Sequence, residues 1–179
     1  MFKSPSMLKT FFALLLPFLL LACSSGPVIK QEAYAKLNDH RTFEFDFPAV
    51  WGGIENVFKE HVIKERSPDK VTDKELESLK ERKLSTDWSY TQSRDKYQEY
   101  KVNGTPRKRY LQMRVKVEVT ARAVLGGTDV SIATTEEVEK LKPDGSSDGY
   151  TQVKNVDPSR PSEILDKINL AILSAQPDK

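Results

Sequence analysis

The clearest pattern in the chain is a strict alternation over Leu111–Ala123. Leu111, Met113, Val115, Val117, Val119, Ala121 and Ala123 occupy odd positions, with Gln112, Arg114, Lys116, Glu118, Thr120 and Arg122 between them. Apolar residues at every second position turn one face of a strand to a core and the other to water, as in an antiparallel sheet. Gly126-Gly127 predicts a tight hairpin into a second strand over Thr128–Val138. With those glycines as the turn, Ala123 faces Val130, Ala121 faces Ile132 and Val115 faces Val138. Upstream, Asn103-Gly104 predicts a type I′ turn, whose register sets Trp88 opposite Val119 and Tyr90 opposite Val117. Both turns then put their apolar residues on the same side of the central strand.

The flanking segments supply the rest of the fold. Thr42–Phe47 alternates Phe43, Phe45 and Phe47 with polar residues and predicts a half-buried strand. Asp46 caps a following helix with Pro48 in its first turn, and Val50, Ile54, Val57, Phe58 and His61 or Val62 give a helical stripe to about Lys64. Gly52-Gly53 weakens that helix by roughly 1 kcal/mol per glycine, and such glycines permit close packing on a sheet. Thr72-Asp73-Lys74-Glu75 is a capping box opening a short surface helix over Asp73–Arg82. Pro143–Gly149 reads as a loop and Tyr150–Val156 as an extended piece. A last helix starts near Ser159 or Arg160, with Ile164, Leu165, Ile168, Ala171 and Ile172 as its buried stripe. The order β-α-(α)-β-β-β-(β)-α predicts a single α+β domain: an antiparallel sheet with one face solvated and the other covered by two helices.

The first 22 residues follow a different logic. Lys3 and Lys9 precede an apolar run, Phe11–Ala22, with no acidic residue. The run is twelve residues long and contains Pro17, whereas a membrane span needs about 20 apolar residues. Basic, then apolar, then small residues make an export signal. It ends in Leu20-Leu21-Ala22-Cys23, which resembles the lipobox of bacterial lipoproteins. The resemblance implies that Cys23 carries a diacylglycerol, that cleavage falls before it, and that the new amino terminus is acylated. Two or three acyl tails give stable anchoring where one is marginal. Ser24 follows Cys23 in place of the Asp that favours inner-membrane retention, so the expected address is the periplasmic face of the outer membrane. The expected organisation is a signal over 1–22, a lipidated tether over 23–40 and a domain over 41–176.

Charge narrows the function. Without residues 1–22, 157 of the 179 residues remain, with 26 basic and 26 acidic side chains. A chain with no net charge gives no footprint for nucleic acid. Its one cysteine being the lipid site, the mature domain has no disulfide and depends on packing.

No catalytic constellation stands out, and no cofactor or metal motif. His40 and His61 belong to no metal-ligand spacing. Asp144-Gly145-Ser146-Ser147-Asp148-Gly149 has the outline of a calcium loop, but its twelfth position is Asn155 where a bidentate Glu is needed. Glu136, Glu137, Glu139 and Asp144 read as a solvated edge. The best candidate for a partner surface is the hairpin tip carrying Tyr97, Tyr100, Arg107, Arg109 and Tyr110, since Tyr and Arg are enriched at binding hot spots. A second reading is a carrier of an apolar or lipid ligand, with Trp51, Trp88, Phe58 and Met113 lining a groove between helix and sheet.

Phe47-Pro48-Ala49-Val50-Trp51, Thr86-Asp87-Trp88 and Arg109-Tyr110-Leu111-Gln112-Met113-Arg114-Val115, together with the lipobox and tether, resemble the BamC-type lipoproteins. These are accessory lipoproteins of the outer-membrane β-barrel assembly machinery, built from helix-grip domains. The resemblance covers about Arg41–Ala175, one such domain where that family carries two. It implies a helix-grip-like fold and a non-enzymatic role beside an envelope protein.

Overall fold

The computed structural model describes residues 30–31 and 37–176. The export signal and Cys23 lie outside the described residues. In chain order the strands are β1 (Lys30–Gln31), β2 (His40–Phe43), β3 (Ile63–Ser67), β4 (Glu81–Thr86), β5 (Ser89–Val102), β6 (Thr105–Val124), β7 (Gly127–Leu141) and β8 (Ser147–Gln152). The helices are α1 (Phe47–Phe58), α2 (Asp73–Ser78) and α3 (Ser159–Ser174).

The alternating segment is the inner part of β6, a 20-residue strand on which the sheet is organised. Along one edge β6 pairs with β7. Its other edge is shared end to end by β5, which takes the first half, and β4, which takes the second. β7 carries β2 and β8 on its outer edge, β3 flanks β4, and β1 flanks β5. Every pairing is antiparallel, so the α+β architecture holds, with an open antiparallel sheet and three helices among the described residues.

The odd positions of β6 face α1 and α3. Val115, Val117, Val119 and Ala121 pack with Val130 and Ile132 of β7, Leu84 of β4, Trp51, Ile54 and Phe58 of α1, and Leu165, Ile168 and Ile172 of α3. Each fully buried aliphatic side chain here contributes about 1.5–3 kcal/mol relative to exposure. Polar anchors fix the outer strands to this core. Glu55 of α1 accepts two hydrogen bonds from Arg66 of β3, both at 2.9 Å, and a third from Trp51 Nε1. Arg82 of β4 lies over the Trp51 ring, 4.6 Å from its centroid.

Several expectations need correction. The β6–β7 turn is Leu125-Gly126, so Ala121 faces Val130, Val119 faces Ile132 and Met113 faces Val138. This is a two-residue shift from the expected register, which leaves every side chain on its expected face. Gly126 supplies the positive φ (+86°). Gly127 serves another need: a Cβ there would lie 2.0 Å from the Phe43 carbonyl oxygen, because β2 crosses at that point. The Asn103-Gly104 turn is as expected, with both residues at positive φ.

The register beyond that turn is not as expected. Tyr97 pairs with Tyr110 and Gln92 with Gln112, so five steps along β5 cover two along β6. The three surplus residues form a bulge, and an odd offset inverts the strand. Tyr90 therefore faces Arg114 and not Val117, and Trp88 lies over Arg114 and Lys116 on the outer side.

Smaller differences have tertiary causes. β2 stops at Phe43, opposite Thr128 near the start of β7, and Phe47 opens α1 under the Asp46 cap. α1 stops at Phe58, short of Lys64, because Ile63–Ser67 pairs with β4. α2 keeps its capping box but ends at Ser78, since Glu81 and Arg82 belong to β4. β8 starts inside the expected loop, at Ser147. Lys30–Gln31 pairs with β5 and His40 opens β2, so the fold recruits residues expected to be tether.

The two glycines of α1 divide their roles. Gly52 is exposed, and a Cβ added there would meet no atom within 4 Å, whereas a Cβ on Gly53 would meet Ile172 Cγ1 at 2.7 Å. Gly53 thus sets the approach of α3, not of the sheet. Gly52→Ala should stabilise the domain by about 0.5–1 kcal/mol through helix propensity, and Gly53→Ala should destabilise it by about 1–3 kcal/mol through overpacking. Urea unfolding of the two variants checks the opposite signs.

Candidate functional site

The inverted β5 puts an unusual group of side chains on the sheet face opposite the helices. Trp88, directly before β5, Tyr90 of β5, Arg114 and Lys116 of β6, and Tyr150 of β8 converge there. Arg114 lies 4.5 Å from the Trp88 centroid and 4.9 Å from that of Tyr150, and Lys116 Nζ lies 4.6 Å from Trp88. Tyr90 and Tyr150 meet edge to face at 6.0 Å, with Tyr90 67% exposed. Glu137 of β7 accepts a 2.7 Å hydrogen bond from Arg114 Nε and holds its guanidinium above the ordinary range. Rings and cations are thereby pre-arranged on a rigid strand surface, which lowers the ordering cost of binding.

Tyr97 and Tyr110 continue this face toward the Asn103-Gly104 turn. They pair directly, with centroids 5.8 Å apart, and Lys108 Nζ lies 4.2 Å from the Tyr97 ring. The five residues expected to form one surface are split by strand alternation. Tyr97 and Tyr110 share the outer face, while Tyr100, Arg107 and Arg109 lie on the reverse side of the ribbon. Trp88, Tyr90 and Tyr150 were missed because the register read from the turn turned Trp88 and Tyr90 inward. The neutral alternation Ser89–Gln92 carries no signal of the bulge ahead.

Behind the bulge lies a buried charged cluster. Lys96 is 1% exposed, and its ammonium contacts Asp95 Oδ2 at 2.6 Å and Glu136 Oε2 at 3.8 Å. Asp95 also accepts from Ser93 Oγ, and Ser93 Oγ accepts from the Lys96 N–H, closing the bulge on itself. Glu136, wholly buried on β7, accepts from Arg160 Nε at 3.0 Å and from the Asp157 N–H at 3.3 Å. Asp157 accepts from the Ser159 N–H and hydroxyl at the start of α3 and contacts Arg94 at 2.9 Å. Burial would raise the Asp157 carboxyl, but the Ser159 hydrogen bonds and the charges of Arg94 and Arg160 outweigh it and hold the group below the ordinary aspartate value. Buried charges persist only when paired this fully. The cluster locks the β5 bulge to β7 and to the start of α3.

The remaining candidates do not assemble. Glu136 and Glu139 are buried, contrary to the solvated edge expected for them, while Asp144 is exposed and accepts from the Ser146 N–H and hydroxyl. Glu139 accepts from the Gln112 N–H and contacts Arg109 at 3.6 Å. His40 Nδ1 lies 3.1 Å from Asp39 Oδ1, and His61 packs on Phe58. Among the described residues no group of His, Cys, Asp and Glu is placed to hold a metal ion. Trp51, Phe58 and Met113 fill the core and Trp88 sits on the opposite face, so the four do not line one groove. The cleft between α1, α3 and the sheet holds about 160 Å³, rimmed by Arg160 and Lys167. Drug-sized ligands occupy about 300–1,000 Å³.

Lys96→Met leaves Asp95 without its cation and should cost about 3–5 kcal/mol, whereas Lys101→Met on the exposed ribbon should stay within about 0.5 kcal/mol. Thermal and urea midpoints separate the two. Because the folded Asp157 carboxyl is depressed, its contribution is complete above the unfolded value near pH 4 and declines as pH falls through the folded one. Asp157→Asn should therefore lower stability at neutral pH by about 1–3 kcal/mol and flatten the loss below about pH 4, as read from urea unfolding across that range.

No protein-family model matches this chain, and no curated protein matches it.

Proposed function

We propose that this protein is a lipid-anchored, non-enzymatic binding domain on the periplasmic face of the outer membrane, which holds another envelope protein through the outer face of its sheet. The observation that carries the reading is the aromatic and cationic group of Trp88, Tyr90, Tyr150, Arg114 and Lys116 on the sheet face opposite α1 and α3, which no helix among the described residues covers. Trp, Tyr and Arg are the residues that dominate binding energy at protein interfaces, and here Tyr90, Arg114 and Tyr150 are held by strands, with Trp88 directly before β5. The anchor follows from the lipobox-like Leu20–Cys23. Two helices laid across one face of an antiparallel sheet support a helix-grip-like domain and, with the motifs quoted above, a role near outer-membrane assembly of the BamC type. In the buried cluster the carboxylates are paired with Lys96, Arg94 and Arg160, which favours a structural over a catalytic use.

A photo-crosslinking residue at Tyr90 in the full chain in cells should capture one envelope protein, and Trp88→Ala should cut that yield at least about tenfold. A probe at Leu125, on the far turn of β6, serves as the comparison. Equal capture from both positions overturns the reading.

A further inference from the structure

We propose that the β5–β6 ribbon beyond Tyr97 and Tyr110 is a second membrane contact, and that its tip rests on the anionic lipid surface in which acylated Cys23 is held. The inference rests on the lipid-anchored reading above and adds an orientation to it.

Three observations converge on this tip. The first is composition against exposure. Every residue from Glu99 to Arg109 is exposed, so the ribbon stands clear of the domain as two strands without a core of their own. Lys101, Arg107, Lys108 and Arg109 outnumber the acidic Glu99 in that stretch, whereas the chain from Cys23 onward has equal numbers of both signs. Basic residues are attracted to anionic lipid within a Debye length of its surface.

The second is sidedness. On the reverse face of the ribbon, Tyr100 pairs with Arg107 and Val102 with Thr105, with Arg109 next in the same row. Tyr100 and Val102 are each 47% exposed. Tyrosine favours the headgroup level of a bilayer, and arginine can lay its stem on apolar surface while its head reaches phosphate.

The third is reach. β1 runs antiparallel to β5 with Lys30 beside Tyr97 and Gln31 beside Lys96, so the amino-terminal end of β1 points toward the ribbon tip. Lys30 is seven positions after Cys23, and Gly104 is seven positions after Tyr97. At about 3.3–3.6 Å per residue the lipid lies no more than about 25 Å from Lys30, and the ribbon extends about as far in the same direction. A bilayer that holds Cys23 is thus within reach of the tip. Leu125, at the other end of the 20-residue β6, is about 60 Å away along the strand.

The test uses the full acylated chain, its lipid verified by mass, in vesicles of phosphatidylethanolamine and phosphatidylglycerol. A polarity-sensitive fluorophore is placed at Thr105→Cys or, as the distal comparison, at Leu125→Cys. The tip label should shift to the blue and be quenched by spin-labelled lipid, and the Leu125 label should not. Lys101→Ala with Arg107→Ala should weaken tip contact roughly thirtyfold, with an unchanged thermal midpoint, as should vesicles of phosphatidylcholine alone. Equal quenching at both positions in an acylated, membrane-bound chain overturns the inference and leaves the anchor standing. A chain without acyl mass on Cys23 overturns both. A tip label shielded by a crosslinked envelope protein, and not by lipid, assigns the tip to a protein partner and also overturns it.

Discussion

The burial of Lys96 is the constraint on which the rest of the sheet depends. A lysine with 1% exposure is tolerated only where carboxylates meet it, and Asp95 and Glu136 do so from β5 and β7. Adjacent residues of a regular strand point to opposite faces, so Asp95 and Lys96 can both be buried only if the strand is broken between Gln92 and Tyr97. Ser93 holds that break through its hydroxyl. The ionic cluster and the bulge thus require one another.

The consequences spread in both directions along β5. Toward its start, the offset turns Trp88 and Tyr90 away from the helices and into the company of Arg114, Lys116 and Tyr150. Toward its end, it releases the strand pair from the core, and the ribbon continues with both faces in solvent. The cluster also reaches α3: Arg160 and the Asp157 N–H bond Glu136, and the Asp157 carboxylate takes the orphan N–H of Ser159. The same charges that deform the sheet therefore position the helix that closes the core, at Leu165, Ile168 and Ile172.

This arrangement divides the domain into a packed side and an accessible side. The helix side is packed and spends its polar groups on structure. The outer side and the ribbon carry rings and cations that the fold itself leaves accessible, and they supply the surfaces proposed for a protein partner and for lipid. If the domain is held by the lipid anchor proposed above, tethering would give it a high local concentration, so each proposed surface would need only modest affinity to be occupied.

What the sequence determined by itself is local and periodic. The seven alternating apolar positions of β6, the Asn103-Gly104 turn, the Asp46 and Thr72 caps and the stripe of α3 all depend on residues within a few positions of one another, and they read directly. The register of the hairpin after β6 was displaced by two residues, because the choice between Leu125-Gly126 and Gly126-Gly127 as the turn depends on β2 passing Gly127. The carboxyl-terminal ends of α1 and α2 were set by β3 and β4 claiming the residues beyond them. The face presented by β5 was decided wholly by tertiary structure. Pattern gives a strand its period but not its phase across a bulge, and the phase here depends on a lysine meeting a glutamate forty residues further along the chain. That long-range ion pair determines which aromatic rings face water, and with them the surface proposed for binding.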